Sequence, residues 1–89
     1  MPARTAVALG PRERAVLAVL VEHDGRVVDR ARLRRHAGMA QLDPRRCESA
    51  LVTIRRALGR DAVVTVRRRG WRLDPAAVPA ARAILAGAA

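Results

Sequence analysis

The side chains best equipped for chemistry in this chain are arginines, and they come in tight groups: Arg45 and Arg46, Arg55 and Arg56, then Arg67, Arg68 and Arg69 in a row. A guanidinium stays charged at any physiological pH and presents a planar fork of N–H donors that matches phosphate oxygens and guanine edges. It is neither a nucleophile nor a general base. The groups that could act as one are scattered. His23 and His36 stand apart in the sequence, Cys47 is the single cysteine, and neither Glu13 nor Glu48 has a nucleophile beside it. Glu13 sits where an acid favours a helix start, and Glu48 reads as an intradomain partner for an arginine. No His/Cys cluster has zinc-ligand spacing, and there is neither a phosphate-cradling glycine loop nor an HExxH pair. The expectation is binding rather than catalysis: not an enzyme, with no cofactor, no metal and no small-molecule substrate.

The balance of charge names the kind of partner. All 18 basic residues are Arg, against 8 acids, which leaves a net charge of +10. The excess is uneven. Residues 1–44 hold eight Arg and five acids, whereas residues 45–73 hold nine Arg and two acids, so the net charge rises from +3 to +7 over a shorter stretch. A uniformly solvated surface has no reason to concentrate one sign in this way, and a polyanion-binding surface does. Hydrophobic residues make up 51% of the 89, enough for one folded domain with no room for a separate deep pocket. Trp71 is the only aromatic residue, so the core must be built from Leu, Val, Ile and Ala. A lone cysteine forms no internal disulfide. No stretch is long enough to span a membrane and no apolar signal-peptide core opens the chain, so it reads as cytoplasmic, with no membrane partner.

The elements that must position these arginines can be read in order. Residues 1–8 form an N-terminal arm or an edge strand. Gly10 can serve as N-cap and Pro11 as first helical residue of a helix running to about Glu22, with Val16, Leu17, Leu20 and Val21 on its inner face. His23-Asp24-Gly25 is a turn. Arg26-Val27-Val28 is too short for an independent strand but could add one rung to a sheet built elsewhere. Asp29 caps a second helix to about His36, with Ala31, Leu33 and Ala37 inward, and Gly38 ends it. Met39 to Leu42 connects. Asp43-Pro44 is the clearest helix start, and Cys47, Ala50, Leu51, Ile54 and Leu58 then recur at helical spacing as one apolar stripe. Arg45, Ser49, Val52, Thr53 and Arg56 lie opposite it, with Arg46 at the flank. Gly59 ends this helix. Ala62–Val66 is β-branched, Arg67–Gly70 makes a tip, and Trp71-Arg72-Leu73 returns as the second arm of a hairpin. The Ala-rich segment 75–89 is either a weak helix from about Pro79 or a linker.

Helix, short extended segment, helix, helix, hairpin is the order of an α+β winged helix-turn-helix: three helices with a C-terminal β-hairpin wing, spanning residues 9–74. The third helix keeps one face down and frees the other for base edges, and the hairpin tip reaches the neighbouring backbone or minor groove. Four stretches resemble the C-terminal output domains of OmpR/PhoB-type response regulators. Leu9-Gly-Pro-Arg-Glu13 is similar to that family's L-T-x-x-E opening, and Glu22 to Arg30 to its E-H-x-G-R-V-V-S-R segment. Arg45 to Gly59 aligns without gaps on its recognition helix, R-T-V-D-V-H-I-S-R-L-R-R-K-L-G. Thr65 to Leu73 matches its wing, T-V-R-G-x-G-Y-R-L. Each motif alone is weak; together, in order and at the right spacing, they are specific.

The resemblance implies that this is the sequence-biased, double-stranded-DNA-binding domain of a bacterial transcriptional regulator, working on the nucleoid. It implies groove contacts at Arg46, Ser49, Ala50 and Thr53, backbone contacts at Arg45, Arg55 and Arg56, and a wing contact at Arg67, which Arg68 and Arg69 extend. RNA polymerase or a second copy of the domain are the further partners it suggests. The departures shape the expectation. Where the family often carries His and Arg, Ala50 and Thr53 are short, and Arg68 replaces the first glycine of the wing motif, so specificity leans on Arg46 and the wing while phosphate attraction is strong. Trp71 replaces a tyrosine and reads as core packing, as does Cys47. Only eight residues precede Leu9, so a receiver domain would lie in another chain or a removed N-terminal part. Three rival readings stand beside this one. The winged helix could serve protein contact through residues 38–42 or the tail. The domain could be the regulatory tail of a larger enzyme fusion, such as a uroporphyrinogen-III synthase-like protein. RNA binding is the third, disfavoured because it usually relies on exposed aromatics.

Overall fold

The computed structural model describes residues 9–38 and 44–87. The arm at 1–8, the connection 39–42 and the proposed cap Asp43 lie outside the described residues. The first helix, α1, runs Pro11–Glu22. Gly10 is extended at its N-cap and donates its backbone N–H to the Glu13 carboxylate at 2.8 Å. That is one half of a capping box, and a glycine has no side chain to return the other half. Val16, Leu17, Val19 and Leu20 are buried, while Val21 packs only partly against the core. At the far end His23 Nδ1 donates to Val19 O at 2.8 Å, and Asp24 and Gly25 turn the chain with positive φ.

Val28 then forms the anticipated single rung. It exchanges backbone hydrogen bonds with Trp71 at 2.7 and 3.0 Å, a one-residue bridge on the hairpin. Directly after it, Asp29 caps α2 (Arg30–His36), its carboxylate accepting from Arg32 N at 2.7 Å. Leu33 is the fully buried residue of this helix. Ala31, expected to face inward, is exposed, because so short a helix presents a single turn of its surface to the core and Leu33 fills it.

The third helix, α3, spans Pro44–Leu58. Cys47, Ala50, Leu51 and Ile54 are at most 1% exposed, so the apolar stripe is the buried one, with Leu58 partly covered at its end. Gly59 takes φ +111° after the last turn. The strands β1 (Val63–Val66) and β2 (Gly70–Leu73) pair antiparallel with Val63 opposite Leu73 and Thr65 opposite Trp71. Those four side chains share one face of the hairpin, on which Val63, Trp71 and Leu73 are buried and Thr65 is exposed. After a short 3-10 turn at Pro75–Ala77, a fourth helix, α4 (Val78–Leu85), folds back on α1. Ala81 is fully buried there, and Arg14 on α1 donates to Leu85 O at 3.1 Å, placing a cation on the negative end of α4. Of the two readings open for the segment after Pro75, helix or linker, the helix is the one that forms. It starts at Val78 and covers the side of α1 that α3 leaves bare.

Candidate nucleic-acid interface

The site is built on the outer face of α3. With the stripe of Cys47, Leu51 and Ile54 turned inward, Arg45, Arg46, Glu48, Ser49, Val52 and Arg56 are exposed, and Thr53 is half-buried. Arg45 and Arg46 occupy the first turn, where unpaired amide groups and the positive end of the helix dipole already favour an anion. Thr53 Oγ1 donates back to Ser49 O at 3.3 Å, which leaves its hydroxyl to act outward as an acceptor.

Two of the expected contact residues are placed otherwise. Ala50 is completely buried, so it has no surface to present to a groove. It belongs to the apolar stripe, between Cys47 and Ile54, and the resemblance that marked it as a contact is overruled by the register of this helix. Arg55 is turned toward the hairpin. Its Nε and Nη2 donate to Val63 O at 3.2 and 3.0 Å, and Nη2 also reaches Thr65 Oγ1 at 2.9 Å. This guanidinium fastens α3 to β1, where the expected role was a backbone contact.

The wing projects beyond these attachments. Arg67, Arg68 and Arg69 are all exposed, and none of their side chains has a hydrogen-bond or ion-pair partner among the described residues. Arg69 N closes a turn onto Val66 O at 2.9 Å, with Arg68 at its third position and φ +66°. A turn with positive φ there favours glycine, and this is the place where the family pattern has one. Gly70 follows at φ +139°, and a Cβ on it would come within 2.0 Å of Val28 O. Only glycine lets the Val28 rung approach β2 so closely.

Between α3 and the hairpin runs a trough lined by Arg30, Glu48, Leu51, Val52, Arg55, Thr65 and Trp71. A second depression continues from the same Arg30, Thr65 and Trp71 to Arg68, Arg69 and Gly70 at the tip. The wing-side flank of α3 and the cationic tip therefore border two adjoining depressions that share Arg30, Thr65 and Trp71. Arg30 stands where the two depressions meet, a position that the sequence pattern does not mark as a contact. Its guanidinium lies 5.6 Å from the Trp71 ring centroid and pairs with Glu48 at 3.1 Å, both partners about half exposed. One side chain at the start of α2 thus touches the recognition helix and the wing together. The signal in the sequence is an arginine two residues after the Val28 rung, at the first position of α2. Trp71 is 8% exposed and is a packing residue, as expected.

The remaining reactive groups are structural. Burial pushes the Cys47 thiol above its ordinary range; Glu48 adds to this, while Arg30 and Arg34 pull it back. The residue behaves as a small apolar side chain. His23 and His36, apart in sequence, have ring centroids 6.1 Å apart, yet no group of three or more metal-ligating side chains forms among the described residues. No helix of the described residues is long and apolar enough to cross a membrane.

A helix with an exposed, largely cationic face, followed by a hairpin whose basic tip flanks it, defines a winged-helix DNA-binding domain. The family described as transcriptional regulatory protein, C terminal, matches residues 4–73, and the chain belongs to it: this is the OmpR/PhoB-type DNA-binding domain of a transcriptional regulator. No curated protein and no solved structure matches the chain.

Proposed function

We propose that α3 enters the major groove of duplex DNA while residues 67–70 of the wing lie on the neighbouring backbone or in the minor groove. In this reading Arg46, Ser49 and Thr53 face base edges, and Arg45, Arg56 and the wing arginines hold phosphates. The observation that carries it is the exposure of Arg45, Arg46 and Arg56 on α3 and of Arg67, Arg68 and Arg69 at the tip, with adjoining depressions between the flank of α3 and that tip. Three adjacent cations without partners at one tip repel each other in the free protein, and an anion relieves that repulsion. The same logic applies at the start of α3, where the dipole disfavours Arg45 and Arg46 until a phosphate reverses the local sign. With Arg55 committed to Val63 and Thr65, roughly five phosphate neutralisations remain, so the slope of log K against log salt is about −4 to −5 on B-DNA. Titrating a duplex selected from a random pool at several salt concentrations measures it. A slope near zero would remove the electrostatic basis of the proposal.

A further inference from the structure

We propose that Val52 reads the C5-methyl group of thymine; this rests on the groove-binding reading of α3. Val52 is 46% exposed and is the large hydrophobic residue left open to solvent among the described residues. A single exposed apolar side chain is ordinary on a protein surface, so exposure by itself decides nothing. Position does. Val52 stands midway along the exposed part of α3, on the side toward the wing, with Ser49 one turn before it, Arg45 two turns before and Arg56 one turn after. Phosphate-seeking cations therefore sit to either side along the helix, and short side chains sit next to it. A helix held on the backbone by those arginines brings its central residue to the base edges.

A valine there has no donor or acceptor. It cannot tell bases apart by hydrogen bonding. The one apolar group displayed on the major-groove edge of the four bases is the thymine methyl. Val52 also suits the task mechanically. A β-branched residue in a helix has one strongly preferred χ1, so its two methyls are held in place before binding and little rotamer freedom is lost on contact. Ser49 and Thr53 are too short to keep the groove floor away from it. The inference assigns to this domain a preference for thymine at a defined position that owes nothing to its arginines.

The test uses the full chain and a duplex recovered by selection from a random pool, with each thymine replaced in turn by deoxyuridine. That replacement removes one methyl and leaves charge and base-pairing edges unchanged. Affinity is expected to fall about fourfold at one or two positions, the size of the effect for one buried methyl-sized group. In Val52→Ala the same replacement is expected to cost nothing, with the melting temperature and the salt slope unchanged, because the position is exposed and alanine is a good helix former. Two results would overturn the inference alone: a steep salt slope with no penalty for deoxyuridine anywhere, or a penalty that persists in Val52→Ala. Failure to recover or retain any duplex would overturn the groove-binding reading together with it.

Discussion

Arg55 and Arg56 are neighbours with the same side chain, yet the first is tied to the hairpin and the second is exposed with no partner among the described residues. Arg55→Ala removes three donated hydrogen bonds, two to Val63 O and one to Thr65 Oγ1, and leaves the carbonyl of a residue that is 2% exposed without its charged partner. Hydrogen bonds to charged groups contribute about 1.5–3 kcal/mol each when buried. This guanidinium is only partly buried, so water replaces part of what is lost, and a net cost of about 1–2 kcal/mol follows. For a domain of this size that lowers the melting temperature by about 4–15 °C. Arg56→Ala removes an exposed cation with no partner among the described residues and should change stability by under about 0.5 kcal/mol. On duplex DNA the order reverses: Arg56→Ala flattens the salt slope by about 0.9, and Arg55→Ala leaves it alone at temperatures where the protein is folded. Thermal melts and salt titrations of both variants make the comparison. If Arg55→Ala melts like the parent and loses a unit of slope, the assignment of Arg55 as the fastening between α3 and the hairpin is wrong.

Other consequences can be checked alongside. Gly70→Ala meets both a φ of +139° and the Val28 carbonyl, and should destabilise by more than about 3 kcal/mol; a folded variant with parental melting would contradict the close approach. Arg68→Gly relieves a left-handed non-glycine residue and should stabilise by about 1 kcal/mol, raising the melting temperature by some 4–8 °C while weakening all duplexes alike. Because burial raises the Cys47 pKa in the folded state, the unfolded chain releases its proton first as pH rises. The contribution of the thiol is intact below the unfolded pKa of about 8.5 and is lost above it, so stability should decline on alkaline titration and Cys47→Ser should blunt that decline. Alkylation of Cys47 at pH 8 should be slow in the native protein and fast in denaturant; equal rates would contradict its burial.

Much of the fold was legible because periodicity and punctuation agreed. Pro11, Asp29 and Pro44 mark helix starts, Gly38 and Gly59 mark ends, and the stripe from Cys47 to Leu58 turns the right face of α3 inward. The errors have physical causes. Ala31 is small enough to be tolerated on either side, so apolar character alone did not orient it. Ala50 was assigned by alignment to a contact it is too deep to make, although its place in the stripe already argued for burial. Arg55 lies on the flank of α3, where a few degrees decide between solvent and a neighbouring strand, and nothing local shows where that strand will pass. Arg30 joins elements 18 and 41 residues away in sequence, to Glu48 and Trp71, a relation that exists only once the chain is folded. Val52 falls on the open face of α3 by helical spacing, but an apolar side chain carries no charge to mark it as a contact.

The wing is anchored at its root and free at its end. The Val28 rung, the Arg55 fork and the Arg30–Trp71 stack all grip the hairpin below Gly70, whereas the side chains of residues 67–69 are exposed and form no hydrogen bond or ion pair with a described residue. Such a layout separates aim from grasp. The root sets the angle and reach at which the hairpin meets a duplex relative to α3, and the terminal loop supplies whatever makes contact there. Exchanging those three residues would then behave like changing the nib of a pen: a different mark from the same hand, with the rest of the molecule unaware of the change.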